Sequence, residues 1–265
     1  SALAKQPNEP HLTALLVDLM MKKKDIGGVI RLTQPFVDRA KEFPDLMESR
    51  AGALTMGGKL IEAEKLYKGM TDLNSRSVET QLNAATVFVL SGENDAAKKL
   101  LLNAQSKNPD NSQILRGLAQ LAWQEGDVKQ ALLLANKIKA IDPKRADGWL
   151  VEFEAERRSG RSESALAAVR HAASLEPDNS YIHMMYGSYL LDLNLPGQAV
   201  DVLRAQISKK NPTDQGVYSL LAKAYLRLGN YAEAISLLKK EIALNVNAPA
   251  PYLQLANVYS ERKDY

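Results

Sequence analysis

The stretch Tyr218-Ser219-Leu220-Leu221-Ala222-Lys223-Ala224-Tyr225-Leu226-Arg227-Leu228-Gly229-Asn230-Tyr231-Ala232-Glu233-Ala234 reads as one helix, a glycine stop and the start of a second helix. The same punctuation recurs upstream at a fixed distance. Ala63, Ala97, Ala131, Ala165 and Ala199 stand 34 residues apart, and Ala234 follows after 35. Gly58, Gly92, Gly126 and Gly160 keep the same step, with Asn194 and Gly229 in the next two places. Pro109, Pro143 and Pro177 form a third ladder at 34, and Pro212 follows after 35. Three residue types holding one register mark a repeat array, in which each repeat is one supersecondary unit.

Each ladder has a physical reason. A proline has no N–H and clashes with the preceding turn, so it stops the second helix of each unit. Pro109-Asp110-Asn111 and Pro177-Asp178-Asn179 then supply turn and cap residues for the next helix. The glycine, or Asn194, ends the first helix in a left-handed conformation that other residues resist. The alanine sits where the two helices of a hairpin cross, where a larger side chain would push them apart.

These residues resemble the tetratricopeptide repeat. Tyr218, Leu221, Ala222, Tyr225, Gly229, Ala234 and Leu238 follow that family's pattern in one unit, while Glu241 and Val246 depart from its final Ala and Pro. Trp149, Gly160, Ala165, Val169, Ala172 and Pro177 follow it in another, with Glu152 and Glu156 departing from its apolar places. The resemblance covers nearly the whole chain. It implies an all-α fold, a right-handed superhelical solenoid of antiparallel helix hairpins, with units at 10–43, 44–77, 78–111, 112–145, 146–179, 180–214 and 215–248 and a half unit at 249–265. No domain boundary is visible in the sequence, so a single solenoid over 1–265 is expected.

Three irregularities stand out. In the first unit Gly27-Gly28-Val29 replaces the expected start of the second helix. The extra residue of the sixth unit is placed within Ser208-Lys209-Lys210-Asn211 as a loop insertion. The chain starts at Ser1 without a methionine and stops at Lys263-Asp264-Tyr265, inside a repeat, so it reads as a fragment of a longer protein. A terminal first helix without its partner is expected to leave Leu255, Val258 and Tyr259 partly uncovered, a contact face for a second copy.

Composition narrows the function classes. The 265 residues hold no cysteine, which removes disulfides, thiolate catalysis and cysteine zinc sites and is compatible with cytosol or periplasm. Lys and Arg number 34 against 31 Asp and Glu, a net charge of +3, so the global balance does not point to nucleic acid. No run approaches the roughly 18 apolar residues of a membrane span. His11, His171 and His183 lie in different units without metal-ligand spacing, and His183 takes a bulky packing position. Gly27-Gly28 lacks the neighbours of a phosphate loop. Neither catalysis nor a cofactor is expected.

In the family the first helix of each pair lines an inner groove through residues two, five, nine, twelve and thirteen of the unit, one face of a helix. Carried onto this chain, those places give Arg116, Gln120 and Trp123 in the fourth unit and Glu154, Arg157 and Arg158 in the fifth. The sixth gives Tyr181, Met184, Ser188, Leu191 and Asp192, and the seventh gives Lys223 and Arg227. Trp, Tyr and Arg are the residues most enriched at binding hot spots. The expected partner is a protein or peptide carrying acidic and apolar side chains. The family's chaperone-tail clamp is not expected, because its Lys–Asn places read Glu48 and Gly52, Arg116 and Gln120, or Leu150 and Glu154.

The chain is therefore expected to be a non-enzymatic scaffold in a multiprotein assembly. The alternative is the targeting arm of a larger enzyme or outer-membrane secretion protein. Its length and divergent units also resemble the periplasmic or lipid-anchored bacterial repeat proteins of exopolysaccharide export and envelope assembly, which places it at the periplasm or outer membrane. A base-per-repeat RNA reader is the remaining class, disfavoured by the 34-residue period and the near-neutral charge.

Overall fold

The computed structural model describes residues 9–70, 73–207 and 215–262. The segment 208–211, Pro212 and residues 263–265 lie outside the described residues. All regular structure among the described residues is helical, in two compact units, Ser1–Glu125 and Gly126–Tyr265.

The first unit holds α1 (Pro10–Lys22), α2 (Ile26–Thr33), a 3-10 helix (Gln34–Arg39), α3 (Pro44–Met56), α4 (Leu60–Gly69), a short 3-10 turn (Leu73–Ser75), α5 (Val78–Leu90), α6 (Asn94–Lys107) and α7 (Ser112–Gln124). The second holds α8 (Val128–Ile141), α9 (Asp147–Arg158), α10 (Ser162–Leu175), α11 (Ser180–Asp192), α12 (Pro196–Ile207), α13 (Gln215–Arg227), α14 (Tyr231–Leu244) and α15 (Pro249–Arg262). The first helices of successive repeats start at Pro10, Pro44, Val78, Ser112, Asp147, Ser180, Gln215 and Pro249, which keeps the 34-residue step to within one residue.

The glycine and alanine ladders take their expected structural places. Gly58, Gly92, Gly126, Gly160 and Gly229 all have φ between +73° and +82°, and Asn194 has φ +58°. A glycine there spares the steric cost of a left-handed backbone, and Asn is the side chain that tolerates it best. Each of these residues turns the chain from a first helix into a second. Ala63, Ala97, Ala131, Ala165, Ala199 and Ala234 are all fully buried, at 0% exposure. Asn111 caps α7 by accepting from the backbone N–H of Gln113 at 3.0 Å and of Ile114 at 3.1 Å.

Packing is local within each unit. In the first, α3 packs on α4, α4 on α5 and α5 on α6, while the first helices α1, α3, α5 and α7 also touch one another in succession. In the second, α8 to α15 pack each on the next, and α11 also touches α13. The second unit's core includes Phe153 and Tyr189, whose rings meet edge to face at 5.1 Å, with Val169, Ile182 and Leu190 around them.

Two expectations are corrected. The first repeat does have a second helix starting on time. Asp25 caps it by accepting from the Gly28 N–H at 2.9 Å, and a Cβ at Gly28 would collide with the Asp25 carboxyl. The paired glycines thus serve the helix start instead of replacing it, and Lys24, at φ +57°, takes the place of the ladder glycine. At the other end Val258 is buried at 1%, against the expectation, whereas Leu255 and Tyr259 are half-buried and so partly uncovered as expected. The most exposed large apolar side chains of α15 are Tyr252 and Leu253, at 46% and 66% exposure.

Candidate functional site

The candidate residues divide between the two units. Arg116 and Gln120 are exposed one turn apart on α7, and Trp123 on the same helix is half-buried. The other seven lie on α9, α11 and α13 of the second unit.

On α9, residues 154, 157 and 158 are three and four apart, so their side chains share one face. Glu154 accepts from both arginines. Arg157 donates Nε to Oε2 at 3.0 Å and Nη2 to Oε1 at 2.7 Å, and Arg158 donates Nε to Oε1 at 2.7 Å. Burial pushes the Glu154 carboxyl up, but the hydrogen bonds from Arg157 and Arg158 outweigh it and hold the group below its ordinary value. The same bond favours the charged form of Arg157, against the opposing effect of burial. The basic patch expected on this helix is thus largely a salt-bridged cluster, whose positive charge is partly cancelled before any ligand arrives.

Beside it, α9 and α11 frame a hollow of about 380 Å³. Phe153 and Tyr189 belong to its apolar side, Met184 and Met185 add flexible thioethers, and Tyr181 stands 64% exposed beside them. Glu154, Arg157, Ser188 and Asp192 provide the polar lining. The structure therefore brings four of the candidates, Glu154, Arg157, Tyr181 and Met184, into one concavity. A volume in this range accepts one or two side chains or a small ligand. Methionine packs around different shapes with little strain, which suits a surface that takes varied apolar groups.

The remaining candidates fare differently. Lys223 is exposed on α13. Arg227 donates Nη1 to the backbone oxygen of Leu191, at the last turn of α11. It is a cap for that helix, where a cation also meets the negative end of the helix dipole. Leu191 itself is buried at 1%, so the inner-surface place assigned to it is a core place. Phe153, Met185 and Tyr189 were not expected at the site. They sit at core-facing positions, and Phe153 and Tyr189 stay buried while lining the hollow.

Two of the three histidines have structural surroundings, and His11 is exposed. The rings of His171 and Trp149 meet at a tilt of 43° with centroids 4.1 Å apart, and Lys139 Nζ lies 4.3 Å from the centre of the Trp149 ring. His183 Nδ1 lies 3.1 Å from the backbone oxygen of Asn179. Among the described residues no cluster of His, Asp and Glu is arranged to hold a metal ion, and no helix is long and apolar enough to cross a membrane.

Stacked helix hairpins with left-handed glycine stops and buried alanine crossings, presenting first-helix side chains beside a hollow, define a helical-repeat interaction protein. Two tetratricopeptide-repeat models match, one over residues 82–146 and one over 133–262. The chain belongs to the tetratricopeptide repeat family. Its fold is similar to that of a tetratricopeptide repeat protein from Parabacteroides merdae ATCC 43184, with a TM-score of 0.67 at 16% identity, covering 94% of this chain and 98% of that one. Among curated proteins it is 24% identical to superkiller protein 3 of Schizosaccharomyces pombe over 71% of this chain and 14% of that protein. It is also 24% identical to coatomer subunit epsilon of Caenorhabditis elegans over 52% of this chain and 47% of that protein. The matches thus span less than half the length of either curated relative. The family and fold are those of scaffolds for protein–protein interaction, typically without catalysis.

Proposed function

We propose that the second unit holds a segment of another polypeptide against the α9–α11 face, as the binding module of a multiprotein assembly and without catalysing a reaction. The observation that carries this reading is the hollow itself, where exposed Tyr181 and the pair Met184 and Met185 stand beside the ionic cluster of Glu154, Arg157 and Arg158. An apolar side chain of the partner enters between the two helices. An acidic side chain next to it competes with Glu154 for Arg157 and Arg158 at the rim. Because the arginines already have a carboxylate, the apolar anchor contributes most of the affinity and the acidic neighbour sets orientation. The name of the coatomer subunit, a component of a larger assembly, is in keeping with this role.

The test is a displayed library of random peptides selected on the purified chain, with affinities then measured for the enriched sequences. Ser188→Tyr fills the hollow from a half-buried position, and Tyr181→Ala removes its exposed aromatic wall. Each is expected to weaken the selected peptides at least about tenfold, the scale of one hot-spot contact. Peptides that bind both variants as tightly as the parent would place the site elsewhere.

A further inference from the structure

A second cavity, unrelated to the groove residues, lies inside the first unit. It has a volume of about 650 Å³ and sits where the 3-10 helix Gln34–Arg39, α3 and α4 come together. It lies where the second helices of two repeats depart from regular geometry. In the regular repeats the second helices α6, α8, α10 and α14 are each 14 residues long. Here α2 has 8 residues and passes directly into the 3-10 helix Gln34–Arg39, and α4 ends after 10 residues. Val37, Met47, Leu54, Leu66 and Met70 line the resulting chamber.

One lining residue is a cation that is only 5% exposed. Arg50 donates Nη1 to the backbone oxygen of Ile30 at 2.5 Å and to Thr33 Oγ1 at 3.1 Å, and Nη2 to Gln34 Oε1 at 2.5 Å. All three acceptors are neutral. Burial works against its charge, and the carboxylate that favours it through space is Glu62. Glu62 is ion-paired with Lys59 at 3.2 Å. Lys41 and Lys65 stand exposed at the same cavity, so three cations face it against the single carboxylate of Glu62. A guanidinium in a low-dielectric site with neutral partners gains most from an anion that brings its own apolar body.

We propose that this cavity binds a fatty acid, its carboxylate directed to Arg50 with Lys41 and Lys65 at the rim, and its alkyl chain laid along Met47, Leu54, Leu66 and Met70. Charge complementarity selects the carboxylate, and the apolar walls select the chain. The volume lies within the range of small-molecule pockets. The site shares no lining residue with the α9–α11 hollow, so it does not compete with the proposed polypeptide site for side chains.

Calorimetric titration of the full chain with dodecanoate, below its micelle-forming concentration, tests the proposal against dodecanol and acetate. Dodecanoate is expected to bind at one equivalent and raise Tm. Dodecanol should bind at least about tenfold more weakly, because a desolvated charge-assisted hydrogen bond is lost. Acetate should not bind measurably. Arg50→Met should abolish the preference for the acid. Because Arg50 also caps α2, the double variant Lys41→Met with Lys65→Met provides an exposed-residue check and should weaken dodecanoate without changing dodecanol. Val37→Trp, at a half-buried wall position, should block both ligands. No binding of dodecanoate, equal binding of acid and alcohol, or binding unaffected by Val37→Trp would each overturn the proposal.

Discussion

The two short second helices near the start of the chain, α2 and α4, contrast with the 14-residue helices α6, α8, α10 and α14. Where the helices have full length, the interior is closed by small residues. At Gly148 on α9, for example, a Cβ would lie 2.8 Å from the Lys139 backbone nitrogen and 2.9 Å from the Ala135 oxygen on α8. Where they are short, the interior opens, and a charged side chain, Arg50, is drawn in to satisfy the carbonyl of Ile30 at the end of α2. The difference teaches that a repeat array can carry a cavity without any insertion. Here one second helix winds on as a 3-10 helix and its neighbour ends early.

Substitution can break this contrast from the closed side. Gly148→Val should cost about 3 kcal/mol in urea unfolding, since the colliding atoms are backbone and cannot swing aside. A loss under about 0.5 kcal/mol would mean that α8 and α9 separate readily, and that the regular repeats are no tighter than the first.

A smaller effect is expected where the first repeat departs from the glycine ladder. Lys24 holds φ +57° with a side chain that disfavours it. Lys24→Gly should therefore stabilise the chain by about 1 kcal/mol, seen as a rise in Tm. No gain would show that the local strain is already relieved by the surrounding contacts.

The smallest effect concerns the ionic cluster on α9. The folded Glu154 carboxyl titrates below its ordinary value near 4.5, so its charge contributes stability above that value and loses it as pH falls through the folded pKa. The arginines are more than a third exposed, which limits the contribution to under about 1 kcal/mol. Wild type should exceed Glu154→Gln in stability at pH 7, and the gap should close towards pH 3. A gap independent of pH would assign Glu154 a packing role in place of an ionic one.

Much of the fold was legible because it rests on backbone rules. A left-handed stop admits Gly or Asn almost alone, and a tight crossing admits Ala, so Gly58 through Gly229 and Ala63 through Ala234 spell the architecture in residue types. Lys24 escaped notice because its residue type gives no sign of its conformation. The site was less legible. Tyr181 and Met184, put on the inner face by the register, line the hollow, whereas Leu191, put on the same face, is core. The pairing of Arg157 and Arg158 with Glu154 was available from their spacing of three and four, but reading the arginines as ligand cations overlooked it. The cavity at Arg50 depends on where two helices end, and helix ends are the feature that sequence patterns mark least sharply.

The nearest-neighbour packing has a kinetic side. Within each unit a helix meets the helices next, or next but one, along the chain. Contacts of such short sequence separation need little loop closure, so hairpins can form wherever a local fluctuation starts and then recruit their neighbours. Opening obeys the same rule in reverse. The array can fray from an end, one hairpin at a time, while the remainder keeps its core. Stability in this molecule is therefore a property of position along the chain, and a ligand seated on one stretch would protect that stretch first.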